Sequence, residues 1–392
     1  MSAREFDVVV YGATGYTGRL VAEYLARRCA DGLAATWAMA GRSAEKLAAV
    51  RDEIGAPADT PLVVADAADP GSVAAMAGRT QVVLTTVGPY QLYGNEVVAA
   101  CVEAGTGYVD LSGEVVWMRQ MIDRHEARAK ETGARIVFST GFDSVPFDLG
   151  VFFMQEAAKE RFGAPMPRAK GRVRAMNGTF SGGTLASGRA SMEAIQKDPS
   201  LLPLMMTPWT LTPGFEGPEQ PDGNAVHEDP AVGMWVAPFV MAMINSRNIH
   251  RSNMLLGHAY GEDFRYDEMM VTGPGEQGKQ MADAIAGMDM MATSDDSPKP
   301  GEGPSKEERE NGDYDILVVG ENDAGDSIRV GVTGDMDPGY GSTSKMIAEC
   351  ALCLTDEASD LPGGIYTPAP AFGMAIVERL CAHAGLTFEV EA

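Results

Sequence analysis

The 392 residues carry 55 Asp and Glu against 31 Lys and Arg, a formal net charge of −24. Such a chain repels nucleic-acid phosphates, so DNA and RNA are not expected as partners. With 45% hydrophobic and 22% charged residues, it has the composition of a globular protein and the length for two domains.

The five cysteines (Cys29, Cys101, Cys350, Cys353 and Cys381) are odd in number and fit no disulfide framework, which points to a reducing, cytoplasmic setting. Cys350 and Cys353 form a CxxC inside a helix-like run, with no second Cys or His pair at zinc spacing, so no metal is expected. The longest apolar stretch, around residues 234–244, contains Pro238 and is too short to cross a bilayer. No transmembrane segment is therefore expected, whereas a peripheral lipid contact and oligomer formation stay open.

In chain order, "FDVVVYG" is a buried strand and "TGRLVAEYLARR" a helix with Leu20, Val21, Tyr24 and Leu25 on one face. "TWAMAG" is a second strand, followed by a helix capped by Ser43 and ended at Gly55. "PLVVAD", "QVVLTTVG", "GYVDLS" and "ARIVFSTG" continue the series, separated by helices that include a long polar one over 115–132. Six near-continuous apolar strands alternating with helices imply a parallel sheet covered on both faces. That is an α/β, doubly wound Rossmann domain over residues 1–150. The rhythm then changes. A helix over 147–160, a strand running into "FSGGTLASG", a helix over 184–197 and strands at 313–319 and 327–333 describe a second, α+β domain over 151–340. Residues 198–233 and 293–312 read as loops. The helices within 341–392 are expected to pack back on the first domain.

"VYGATGYTGRL" places Gly12, Gly15 and Gly18 between the first strand and the first helix, with Thr14, Tyr16 and Thr17 among them. Glycine permits the tight turn, and the helix N-terminus offers unpaired N–H groups to a pyrophosphate. The end of the second strand lacks the acid that would bind an NAD ribose. Arg42 and Ser43 stand there, with Lys46 one turn on. A guanidinium and a hydroxyl at a helix N-terminus suit a 2′-phosphate, so NADP(H) is the expected cofactor. Asp66, after the third strand, is expected near the adenine. Thr86, Gly88 and Pro89, after the fourth, are expected beside the nicotinamide ribose.

Tyr90 is the nearest proton donor to that point. Asp143 and Ser144 in "GFDSVP" either face the same cleft or cap the helix over 147–160. Ser181 and Thr184 of "FSGGT", and Tyr340 and Lys345 of "GYGSTSK", are further candidates for the substrate side. "LLPLMMTPW" is either core or a Met-rich, lipid-facing wall.

Taken together, "VVVYGATGYTG", "AGRSAEKL", "VGPYQLYG", "YVDLSGE", "GFDSVPFDLG", "GPSKEER" and "DPGYGSTSKMIAECALCL" resemble the saccharopine dehydrogenase-like oxidoreductases, in their trans-acting enoyl reductase branch. The resemblance covers nearly the whole chain. It implies an N-terminal Rossmann domain binding NADP(H) and a substrate domain that reduces enoyl groups of polyketide-derived lipids, delivered by a synthase or carrier. Two other readings stand beside it. One is a saccharopine-type imine or amino-acid reductase, for which Arg172, Arg174, Arg189, Arg247, Arg251 and Arg265 are the available cations. The other is a nucleotide-binding scaffold or lipid-surface protein with little turnover.

Overall fold

The computed structural model describes residues 4–178, 182–288, 299 and 301–391. Strands β1 (Phe6–Tyr11), β2 (Trp37–Gly41), β3 (Leu62–Val64), β4 (Thr80–Thr85), β5 (Gly107–Val109) and β6 (Arg135–Val137) come first. Between them lie α1 (Tyr16–Ala30), α2 (Ala44–Glu53), α3 (Pro70–Arg79), the single turn α4 (Tyr90–Tyr93), α5 (Asn95–Ala104) and α6 (Val115–Thr132). Helix α7 (Val145–Phe162) leads to β7 (Arg168–Asn177), α8 (Gly182–Lys197), α9 (Leu202–Met206), β8 (His227–Asp229), β9 (Met234–Pro238) and α10 (Ala242–Leu255). The rest comprises β10 (Arg265–Gly273), α11 (Gly275–Ala286), α12 (Lys306–Glu310), β11 (Asp313–Glu321), β12 (Ser327–Gly334), α13 (Thr343–Thr355), β13 (Gly364–Tyr366), α14 (Pro368–His383) and β14 (Leu386–Glu391).

The first sheet runs β13-β6-β5-β4-β1-β2-β3, with every pairing parallel. Its strands are buried on both faces. On β1, Val8 and Val10 enter one core, Val9 and Tyr11 the other. This explains the unbroken apolar run, which a half-exposed strand would not show. Seven strands stand where six are expected from sequence. The extra one, β13, has three residues and follows "LPG", too short to show a period.

The second sheet runs β14-β12-β11-β7-β10-β9-β8 and is antiparallel apart from β7 against β10. Helix α7 packs on it. A Cβ on Gly150 would lie 3.1 Å from both Val318 and Val332, so glycine brings this helix close to β11 and β12. The stretch 198–233 is more ordered than a plain loop, since it holds α9 and β8.

Helix α13 returns to the first sheet, against β1, β4, β5 and α1. Cys350 and Cys353 are both buried in its core, and burial pushes both thiols up. The buried Glu349 carboxylate binds Arg28 of α1 at 2.9 Å and Arg379 of α14 at 2.6 Å, and accepts the Tyr24 hydroxyl. Three helices distant in sequence are thereby tied together. No helix among the described residues is long and apolar enough to cross a membrane.

Candidate active site

The glycine loop is closed by sterics. Gly12 has φ +93°, in the left-handed region, and a Cβ there would stand 2.7 Å from Val87 Cγ2 and 2.9 Å from Thr86 Oγ1. A Cβ on Gly18 would overlap the Gly12 carbonyl oxygen. The Gly15 N–H donates to that carbonyl at 2.8 Å. No side chain caps α1 at Gly15, so its first N–H groups remain available to an anion. Thr14 and Gly15 are exposed, and Thr17 faces the neighbouring cavity. This cradle fits a pyrophosphate.

At the end of β2, Arg42 is exposed, and Ser43 Oγ accepts the Lys46 backbone N–H at 3.2 Å, capping α2. Lys46 is exposed as well. Asp66 folds on itself, its Oδ1 accepting the Ala68 N–H at 3.0 Å. Arg42 and Asp66 both act on the buried Tyr11 hydroxyl, which desolvation pushes up. They therefore flank one point at the ends of β2 and β3. Arginine and serine at a helix N-terminus, with no acid at the end of β2 itself, suit a 2′-phosphate.

A cavity of about 570 Å³ opens beside Thr17, Thr86 and Gly88, between the two sheets. Met176, Met192, Met205, Met241 and Met243 contribute to its wall, with Leu111, Phe142, Val240 and Ile244. Among the described residues, no Arg, Lys or His lines it. The arginines of the second domain are engaged elsewhere. Arg172 is buried between Asp229 and Asp267, at 2.6 and 2.7 Å. Arg174 binds Asp315 and Glu391. Arg247 and Arg251 donate to backbone carbonyls. Arg189 and Arg265 do not line the cavity.

Asp143 lines the cavity. Its Oδ1 is buried with no hydrogen-bond partner, and desolvation raises its pKa from 3.8 to about 7. Ser144 lies alongside but is fully buried, and its Oγ accepts from Asn248 Nδ2 at 2.7 Å. That hydroxyl neither caps α7 nor reaches the cavity. The peptide bonds Gly88–Pro89 and Asp143–Ser144 are both cis.

Tyr90 lines the cavity, but its hydroxyl is committed: it donates to the Thr85 carbonyl at 3.3 Å and accepts the Leu111 N–H at 3.0 Å. Burial, together with nearby Asp110, pushes this phenol well above its usual value. The geometry is that of a brace between the β4 and β5 ends rather than a proton donor. Tyr340 also lines the cavity, edge-on to Tyr16 at 5.2 Å between ring centroids. Lys345 is not part of the lining; its ammonium pairs with Asp335. Ser181, and the side chain of Thr184, lie outside the described residues.

Two acids of "YVDLSGE" matter more than their sequence setting suggests. Asp110 Oδ1 accepts the N–H groups of Ser112 and Ser139, at 3.1 and 3.0 Å, and Oδ2 accepts the Tyr108 hydroxyl at 2.9 Å. It stitches the ends of β5 and β6 together. Glu114 accepts the N–H groups of Tyr90 and Gln91, at 2.8 and 2.9 Å, and lines the cavity. It fixes the turn that follows Pro89. Their signal was an acid just after a strand, which reads as surface until the cleft is built.

Residues 8–137 match the model of the saccharopine dehydrogenase NADP binding domain. The trans-acting enoyl reductases of Mycobacterium tuberculosis and Mycobacterium ulcerans are 39% and 38% identical over 407 residues, covering 96% of this chain and 96% of each relative. A further Mycobacterium tuberculosis protein is 42% identical over 415 residues, with 98% of this chain and 97% of that one covered. Among solved structures, saccharopine dehydrogenase (L-Glu forming) from Saccharomyces cerevisiae superposes with a TM-score of 0.55 at 13% identity, covering 99% of this chain and 100% of that one, a likeness of fold alone. With its dinucleotide cradle and near full-length relatives, the chain belongs to the saccharopine dehydrogenase-like oxidoreductase family, in its trans-acting enoyl reductase branch.

Proposed function

We infer that the protein is an NADP(H)-dependent oxidoreductase that reduces an enoyl substrate. The NADP-binding domain and the enoyl reductase relatives support the cofactor and the reaction. The observation that carries the substrate class is the cavity wall, with five methionines and no cation among its described residues. Such a wall accommodates an acyl chain, because methionine adapts to varied apolar shapes. It offers nothing to the carboxylates of an amino-acid substrate.

The finer reading is an acyl or polyketide-lipid enoyl group delivered by a synthase or carrier. The chain then divides into a cofactor domain over 1–150, completed by α13 and β13, and a substrate domain over 151–340, whose sheet β14 completes. Leu202 and Met206 of α9, with Met192 and Met243 at the cavity, are exposed apolar side chains. They favour a peripheral contact with the lipid part of the substrate or with a lipid surface.

When bound, NADPH supplies a hydride for the β-carbon. Its pyrophosphate is assigned to the cradle of Gly12, Thr14, Gly15, Tyr16, Thr17 and Gly18. Arg42, Ser43 and Lys46 are assigned to its 2′-phosphate and Asp66 to its adenosine end. Thr86, Gly88 and Pro89 take the nicotinamide ribose. Asp143 is the proposed acid for the α-carbon, since burial keeps its carboxyl protonated close to neutrality. Tyr340, also in the cavity wall, is the proposed hydrogen-bond donor to the enolate oxygen. The apolar walls exclude water from both.

The test is NADPH oxidation with trans-2-enoyl thioesters of increasing chain length, alongside imines formed from glutamate and an aldehyde. Enoyl turnover is expected, with kcat/KM rising about fourfold per methylene (about 0.8 kcal/mol) until the cavity fills. Imine reduction without enoyl reduction would overturn this reading.

A further inference from the structure

The segment from Gly303 to Glu310 follows the second domain's α11 yet rests on the dinucleotide loop. A Cβ on Gly303 would stand 2.6 Å from Tyr16 Cε1, so glycine lets the chain lie against that ring. The Tyr16 hydroxyl donates to the Pro304 carbonyl. Arg309 Nη1 donates to Pro304 O at 2.9 Å and to Tyr16 Oη at 3.0 Å, with the guanidinium carbon 5.8 Å from the Tyr16 ring centroid. A capping box between Ser305 and Glu308 fixes the turn that carries Arg309. The Asp337 N–H donates to the Arg309 carbonyl at 2.9 Å. Backbone and side chain are both held.

The guanidinium is only partly spent. It makes no ion pair among the described residues, and its Nε and Nη2 donate no hydrogen bond there. It is half-buried, in a chain with 24 acids in excess. The Asp337 carboxylate feels its charge without forming an ion pair with it, and an arginine so fixed, with N–H groups in hand, suits a further anion. Tyr16 is the first residue of α1, whose open N–H groups form the pyrophosphate cradle. We propose that Arg309 is a cofactor-binding residue, whose guanidinium contacts the NADP(H) pyrophosphate opposite α1 and closes the dinucleotide site from the second domain. This rests on the NADP(H) reading of the loop. Asp337 also accepts the N–H groups of Tyr340 and Gly341, at 3.0 and 2.7 Å. Arg309 thus joins the seat of the pyrophosphate to the wall of the substrate cavity.

The test measures binding of NADPH, NADH and adenosine 2′-monophosphate to the full chain by calorimetry, across a range of salt. Wild type is compared with Arg309→Ala and Arg309→Lys. For Arg309→Ala, NADPH and NADH should weaken by the same factor, about ten- to a hundredfold. The salt dependence of NADPH affinity should flatten, and Arg309→Lys should recover part of both. Adenosine 2′-monophosphate, which has no pyrophosphate, should bind unchanged. Unaltered NADPH affinity in Arg309→Ala overturns the proposal. So does an equal loss for adenosine 2′-monophosphate, because the segment then only supports the fold. If wild type binds no NADPH, the cofactor reading itself fails; if wild type binds and Arg309→Ala binds equally well, only this inference does.

Discussion

Asp143→Asn separates the proposed acid from the rest of the site. The carboxyl is held from 3.8 up to about 7 by desolvation, so the folded chain binds its proton more tightly than the unfolded chain does. Stability must then fall as pH rises from 3.8 through about 7, and it stays lost above that. At 1.36 kcal/mol per pH unit the ceiling on this loss is about 4 kcal/mol. Asparagine does not titrate, so the variant should lack this slope and exceed wild type in stability above about pH 7. Glu268, raised to about 8 and electrostatically coupled to Asp143, titrates at the upper edge of the window. The comparison is therefore cleanest between about pH 5 and 7. In single-turnover reduction of a trans-2-enoyl thioester, wild-type rates should decline above about pH 7 as the acid ionises. The variant should lose about 10²–10⁴-fold in rate at lower pH and show no such limb, with NADPH affinity unchanged. Full turnover in the variant, or the same alkaline limb, would refute Asp143 as the acid.

Arg42→Ala should weaken NADPH by about ten- to a hundredfold while leaving NADH nearly unchanged; equal losses in titration would remove the 2′-phosphate assignment. Tyr90→Phe should cost about 1 kcal/mol in urea unfolding with turnover maintained, because the hydroxyl braces Thr85 and Leu111; a collapse in turnover would restore it as a donor. Gly18→Ala adds a methyl into the Gly12 carbonyl, costing about 1–3 kcal/mol and weakening NADPH in the same calorimetric assay. Glu349→Ala removes the buried carboxylate shared by Arg28, Arg379 and Tyr24, leaving Arg379 its pair with Glu357, and should lower stability by about 1–3 kcal/mol, read as a lower Tm without loss of cofactor selectivity.

The cofactor half was legible in sequence because its signals are local. Gly12, Gly15 and Gly18 answer to a turn a few residues long, and Ser43 caps the helix it precedes. The substrate half depends on contacts between distant segments. Met176, Met205 and Met241 share a wall only after β7, α9 and the turn before α10 come together. Lys345 read as a cleft residue from "GYGSTSK", but a helix turns side chains through its period, and Lys345 faces Asp335 while Tyr340 and Thr343 face the cavity. Ser144 read as either a cleft residue or a cap, yet its hydroxyl accepts from Asn248, a partner that no local pattern shows. Strands β8, β9, β10, β13 and β14 were missed; β8 and β13 have only three residues and β9 ends at Pro238.

The last strands have a consequence for how the chain is assembled. β13 pairs with β6 at one edge of the first sheet, and β14 pairs with β12 at one edge of the second. Helix α14 lies between them in sequence and packs on both α7 and α13. During synthesis neither sheet can gain these edge strands until residues 364–391 have left the ribosome, although most of both cores is made earlier. The exposed edges of β6 and β12 must wait, open to pairing with neighbouring chains. The two halves are therefore poor candidates for separate expression. Removing residues 363–391 would strip an edge strand from each sheet at once.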